Sequence, residues 1–470
     1  MEHLCLLTIL SGVIAVLAFL TWHKTRNLAF PLGLGFLYYW SLHGAWAIIT
    51  DKRGGVSGTH YYYLEGKMFT LQLNDTYYWA LAFYGMFVVI VGLTVLIAAK
   101  PASPDSETRT RSPLIISHTV ISLMAVSACL LSFAIILPSL ATAQALNVAA
   151  YSFKGGDRAD LPALFVLYLE LNRVALLGSA IGLTIVASGK NAKYMTGRGA
   201  PWTAPTYIVI LCAMIVQAVL MGDKGQIFFT TVCSILFYMA NTTRPKYIPL
   251  TALGIVGLLS LGVMDMLRGI PLPLLLKTVT TLSPSEWADT AQLVSSSDEA
   301  FGAHFSMYGA LDYRLAPTLG SSFTSLAASV VPRAFWEDRP DDIYEYYADG
   351  VHAAPGQGYA IHHATGWYLN FGIPGIVLGA IVLGTIWSAC YNGFRRPSDL
   401  RARWTQIVLL ISPWAFTANL PMLVRAGPEG YKGVCIDVFL IPTLVLWVAS
   451  FDWRLLFVDR SRISVREIAT

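Results

Sequence analysis

Residues 77–99 read YYWALAFYGMFVVIVGLTVLIAA, 23 positions that open on two tyrosines and a tryptophan and hold no charged side chain. A bilayer core about 30 Å thick needs roughly 20 mainly apolar residues per crossing helix. Tyr and Trp gather where a bilayer meets water, so this stretch reads as a transmembrane helix with its aromatic end at an interface. Similar stretches recur along almost the whole chain, and the expectation is an all-α polytopic membrane protein of about eleven transmembrane helices. They run near Leu4–Trp22, Leu28–Ile49, Tyr77–Ala99, Leu114–Leu140, Leu161–Ala187, Tyr207–Met221, Ile227–Ala240, Ile248–Val263, Trp367–Ala389, Trp404–Leu423 and Val434–Phe451.

Composition agrees with this reading. Hydrophobic types make up 55% of the 470 residues and charged types 13%, against about 45–50% and about 25% in ordinary soluble domains. That balance excludes disorder and argues against a soluble multidomain chain. The net charge of +4 includes no contiguous basic surface of the sort nucleic-acid binding needs. All six cysteines fall in or at the ends of the expected spans, which argues against a disulfide framework, and no pair has metal-ligand spacing.

Orientation follows from the basic residues, which are retained on the cytoplasmic side. Segments 23–27, 100–113, 188–204, 241–247, 391–403 and 452–470 hold 18 Lys/Arg and 6 Asp/Glu; the opposite segments hold 13 and 20. The amino terminus is thus expected outside and the carboxyl terminus inside. The first span lacks a basic leader and a small-residue cleavage site, so it reads as a retained helix rather than a removed signal.

Four parts follow: residues 1–263 with spans one to eight, a large outer loop over 264–365, residues 366–451 with spans nine to eleven, and a cytoplasmic tail over 452–470. The loop carries 5 basic and 12 acidic residues, and connections of that length are uncommon without a role. Ser283-Pro284-Ser285-Glu286 has the form of a capping box with Pro at the first helical position, so a helix is expected from Pro284. Phe323–Val331 is apolar but too short to cross, as an interfacial or re-entrant helix would be.

Charged groups at membrane depth are costly and face a partner or a polar cavity. Glu170 and Arg173 stand at i, i+3 in the fifth span, where they can pair on one helix face; the alternatives are a buried structural ion pair and an Arg that contacts substrate. Gly222-Asp223-Lys224-Gly225 forms the turn before the seventh span, where exposed amides at a helix start favour an anion, although the pattern is also ordinary turn chemistry. Arg268 follows the eighth span and Arg425 closes the tenth. Each cation alone is explained by snorkelling at a helix end; together they fit an outer cavity for a multiply charged anion.

The loop closes on Val331-Pro332-Arg333-Ala334-Phe335-Trp336-Glu337-Asp338-Arg339-Pro340-Asp341-Asp342 and continues through His352, His362 and His363 to Asn370-Phe371-Gly372. Alternating Arg and carboxylate can bind phosphate or take a proton from a hydroxyl, and can equally form a solvated ion-pair network. The adjacent histidines read as surface residues or as supports for the fold, and no metal-binding pattern includes them. Tyr61, Tyr62 and Tyr63 can stack on sugar rings or simply belong to the interfacial aromatic belt.

In these residues the chain resembles the Wzy-type oligosaccharide repeat-unit polymerases, the family of O-antigen and enterobacterial-common-antigen polymerases. The likeness rests on Pro332-Arg333, Trp336 and Arg339-Pro340 at the loop end, and on Asn370-Phe371-Gly372 opening the ninth helix. It is similar also in Gly222-Asp223-Lys224-Gly225, with Lys where the family usually has Arg, in Arg425-Ala426-Gly427, and in the basic Arg173 of the fifth span. It covers roughly residues 161–451; the first four spans match in topology only.

The resemblance implies a GT-C-like helical fold and a glycosyltransferase of the bacterial inner (cytoplasmic) membrane. Its donor and acceptor would both be undecaprenyl-diphosphate-linked oligosaccharides, joined on the periplasmic face. It implies Arg173, Lys224, Arg268, Arg339 and Arg425 as diphosphate ligands and Asp338, Asp341 and His363 as candidate bases. The reaction would be a direct displacement, with no metal or other cofactor. It raises a chain-length-regulating membrane protein as a partner, alongside the lipid bilayer. The rival readings are an O-antigen-ligase-type glycosyltransferase and a lipid-linked oligosaccharide flippase or other transporter.

Overall fold

The computed structural model describes residues 1–49, 73–102, 113–142, 163–198, 203–221, 224–247, 298–328, 343–353, 360–394 and 403–451, with a few single positions between 248 and 297. Helix takes up 85% of these residues, so among the described residues the chain is all-α apart from one short strand pair. It is a membrane protein by the length and apolarity of its helices. Seven of them are long and apolar enough to cross a bilayer.

In chain order, α1 is Glu2–Thr25. The second apolar stretch is broken into α2, Ala29–Tyr38, a π-helical turn over Tyr39–His43, and α3, Gly44–Ile49. Then come α4, Asp75–Ala98; strand β1, Leu114–Ser117; α5, His118–Thr142; and α6, Ala163–Ser188. Strand β2, Met195–Arg198, pairs parallel to β1 and is followed by α7, Thr203–Met221, and α8, Lys224–Asn241. The large loop contributes α9, Asp298–Asp312; α10, Ser321–Ala328; and α11, Ile343–Gly350. The chain returns through α12, His363–Phe394, and α13, Arg403–Arg425. It ends in α14, Gly430–Val434, a second π-helical turn over Cys435–Leu440, and α15, Ile441–Ala449.

Burial ranks the helices. In α13, 83% of the apolar window is enclosed by protein, against 22% in α1, so α13 is the central post and α1 lies on the rim. α4 starts where Asn74 Oδ1 accepts the Tyr77 amide, a side-chain cap that fixes the aromatic end of the span. At the other end Asn392 clamps α12 to α4, donating to the Ala98 carbonyl at 2.8 Å and accepting the Lys100 amide at 2.8 Å.

The expectation for the ninth span needs correcting. It was expected as one helix from Trp367 to Ala389, but the backbone leaves helical geometry at Phe371 and Gly372. Gly372 sits at φ +65°, ψ −151°, a conformation only glycine adopts at small cost. The chain reverses there: the Trp367 ring packs on the Cα of Gly379, a residue that a straight helix would place ~18 Å further along. Residues 363–370 thus form a re-entrant helix folded against the crossing helix 373–394. Asn370 holds the reversal to α10, donating to the Ser322 hydroxyl at 2.7 Å.

The apolar stretch near Phe323 is the eight-residue α10, ending at Ala328. Most of the eighth stretch, the helix expected from Pro284, and Tyr61, Tyr62 and Tyr63 lie outside the described residues.

Candidate functional site

The region of interest is built around the end of α13. That helix carries Arg425 to its last position, and Gly427, at φ +59°, lets the chain turn into α14 within four residues. Several distant segments grip this turn. From α11, the Tyr344 hydroxyl donates to the Arg425 carbonyl at 2.9 Å and the Ile343 amide donates to Glu429 Oε1 at 3.0 Å. Ile361 forms a β-bridge with Ala426, and His363 Nδ1 bonds the Gly427 carbonyl at 2.8 Å. Gly366 lies so close that a Cβ there would strike Pro428.

The start of α8 stands beside the same place. A Cβ added to Gly225 would sit 3.2 Å from the Met422 sulfur, one helical turn before Arg425. The backbone of Lys224 therefore opens its helix next to the end of α13, although its side chain lies outside the described atoms. Arg268, Asp338, Arg339 and Asp341 lie outside the described residues.

The turn lies deep in the bundle. The His363 ring is 5.8 Å from the Phe87 ring, and Phe87 is midway along α4. Phe87 lies ten residues beyond Tyr77, so the site sits ~15 Å below the aromatic end of that span.

Three histidines hold the re-entrant segment in place, and their partners fix their tautomers. His304 Nδ1 faces the Ser41 carbonyl at 2.8 Å and must donate to it, so Nε2 accepts from the Tyr77 hydroxyl at 2.9 Å. His362 Nδ1 accepts the Ala364 amide at 3.0 Å, so Nε2 donates to the Ser41 hydroxyl at 2.9 Å. His363 Nε2 accepts from the Trp367 indole at 3.0 Å, so Nδ1 donates to Gly427. All three are fully buried and neutral in this arrangement. Burial lowers His304 to about 4 against the opposing pull of the Ser41 carbonyl. It also pushes His362 well below its usual value, with His363 and His304 adding repulsion.

The Tyr84 hydroxyl completes the web, donating to the His304 carbonyl at 2.8 Å and accepting the Met307 amide at 3.0 Å. Of the two readings of the His pair, support of the fold is the one the structure displays. His363 in particular has both ring nitrogens engaged, which suits a positioning group better than a proton acceptor.

Arg173 is engaged by other partners. Its guanidinium donates to Glu170 on the same helix and pairs through Nε with Asp437 Oδ1 at 2.8 Å across to the second π-helical turn. Here the ion-pair reading is realised, with a third member that helical spacing could not reveal. Two carboxylates in a poorly screened setting hold the guanidinium strongly, so an anionic ligand would have to displace one of them.

Sequence reasoning brought out Arg425 and the His362–His363 pair but passed over Ser41, Tyr84, His304, Tyr344 and Glu429. Ser41 and Tyr84 are polar groups in apolar stretches, a detectable signal, whereas His304 lies in the mixed helix α9. Tyr344 and Glu429 lie in stretches where polar side chains are ordinary. Comparison with protein-family models, with curated proteins and with solved structures finds nothing that matches this chain.

Proposed function

We propose that this chain is an eleven-span glycosyltransferase that polymerises lipid-linked oligosaccharide repeat units at the loop end of its bundle. One observation carries the reading: the end of α13 and the start of α8 meet at a single turn, which α11 also grips. Arg425 ends α13 there, Lys224 opens α8 beside it, and α11, gripping the turn through Ile343 and Tyr344, is reached directly from the 331–342 segment that bears Asp338, Arg339 and Asp341.

Cations gathered at one point stabilise a leaving diphosphate as its bond to the anomeric carbon breaks. Arg425, Lys224, Arg339 and Arg268 are assigned that role. The acceptor hydroxyl oxygen attacks the anomeric carbon, the diphosphate departs with the bonding electron pair, and Asp338 or Asp341 takes the hydroxyl proton. Arg173, held by its carboxylates, ties α6 to the second π-helical turn, and His363 positions the Arg425 turn. The setting is a bacterial cytoplasmic membrane with the loop end outward, where no nucleotide sugar is available and sugars arrive on undecaprenyl diphosphate.

The test is purified protein in lipid nanodiscs supplied only with undecaprenyl-diphosphate-linked repeat units. A ladder of multiples supports the reading. No ladder, or transfer only when a different acceptor is added, rejects it in favour of a ligase; movement of the lipid-linked unit between leaflets without transfer marks a transporter.

A further inference from the structure

We infer that Glu429 is a positioning residue that docks α11, and with it this end of the large loop, onto the Arg425 turn. The inference rests on the polymerase reading and adds to it the element that holds loop and bundle together.

The geometry is specific. Ile343 is the first residue of α11, and its amide is one of the donors a helix start leaves without an intrahelical partner. Glu429 Oε1 accepts it at 3.0 Å from another part of the chain, 86 residues away. A carboxylate there also meets the positive end of the helix dipole. The next residue makes the second tie, Tyr344 to the Arg425 carbonyl. Ile343 and Tyr347 are buried, and Gly350 packs on Leu315, so α11 lies between this turn and the chain that leaves α9.

Position along the chain gives the arrangement its consequence. Residues 331–342 lead straight into Ile343, and Glu429 comes four residues after Arg425. One carboxylate therefore joins the carboxyl end of the segment holding Asp338, Arg339 and Asp341 to the turn that holds Arg425. Glu429 accepts an amide of its own chain, so it acts by holding α11 to the turn rather than by touching substrate.

Two variants of the full chain in nanodiscs test this by hydrogen exchange and by turnover. In Glu429→Ala, amides of residues 343–347 should exchange roughly tenfold faster, the size of effect expected when a charge-assisted hydrogen bond is lost. Turnover should fall roughly tenfold with KM for the lipid-linked unit within about twofold, because the contact acts on the reacting arrangement rather than on binding. Glu429→Gln keeps an acceptor oxygen and should stay within about threefold of wild type on both measures. Wild-type exchange over α11 in Glu429→Ala overturns the inference. So does a raised KM with unchanged kcat, or equal damage from both variants. Absence of a ladder from the wild type would defeat the polymerase reading instead, while the exchange result would still decide whether Glu429 docks the loop.

Discussion

Arg173 Nε and Asp437 Oδ1 stand 2.8 Å apart, and the same guanidinium also holds Glu170. Three charges from two helices thereby sum to one net negative charge within an apolar bundle. Asp437 reaches its partner from a π-helical turn, a local widening often found where a helix must aim a functional side chain. The side chains of Arg173 and Asp437 are 19% and 17% exposed, so water screens the pair only weakly.

The triad makes a prediction about stability. Arg173→Met alone leaves two carboxylates without their counter-charge and should destabilise the detergent-solubilised protein by roughly 3 kcal/mol. Adding Glu170→Gln and Asp437→Asn should recover most of that loss. Thermal unfolding of the single and triple variants checks it, and a triple variant no more stable than the single one would refute the account.

A second prediction concerns the reversal in α12. Gly372→Ala forces a Cβ into a backbone region nearly reserved for glycine and should cost about 1–3 kcal/mol. A Trp reporter is at hand: the Trp367 indole, seated on Gly379 and bonded to His363, should lose its fixed environment in near-ultraviolet spectra. Unchanged melting and unchanged spectra would show that the reversal does not depend on that glycine.

The buried histidines predict a pH response. His304 ordinarily titrates near 6.5 and is lowered to about 4 in the fold, with His362 displaced in the same direction. Between those values the unfolded chain binds the proton and the folded chain does not. Stability therefore rises with pH across that window and is lost as pH falls from about 6.5 to about 4, by up to about 3 kcal/mol for His304. Melting measured from pH 7.5 to 4.5 should show a steeper acid-side decline for wild type than for His304→Gln. Parallel curves would mean that His304 contributes nothing to it.

A fourth prediction addresses the cations. Arg425→Ala and Arg339→Ala should each abolish chain growth while membrane insertion and expression persist. Arg425→Lys should keep part of the activity, since charge remains but the two-pronged contact with phosphate is gone. Wild-type polymer length in both alanine variants, read on a gel of the glycan product, would remove these residues from the site.

The sequence made the helices legible because the bilayer imposes a length and a composition on each of them. That is why Tyr77–Ala99 in sequence and Asp75–Ala98 in structure nearly coincide. The reversal at Gly372 was not legible: the sequence shows an apolar helix after it and a shorter, more polar segment before it, and one glycine sets the direction between them. For the site, Arg425 stood out as a charge at a helix end. Glu429, five residues before the last apolar stretch opens at Val434, had no such contrast with its surroundings. Its partner Ile343 is reached through a backbone amide, which leaves no trace in residue type. The Arg173–Asp437 pair spans 264 positions, and no spacing rule links residues on different helices.

The depth of the α13–α14 turn has a consequence for the membrane around it. On the proposed reading, Arg425 at this depth would keep its charge only where water or an anion can reach it, so the aqueous boundary would dip toward the turn on the side of the loop. A lipid headgroup approaching Arg425 would therefore sink below the plane of its neighbours, and its isoprenoid-like tail would have to bend or tilt to remain in hydrocarbon.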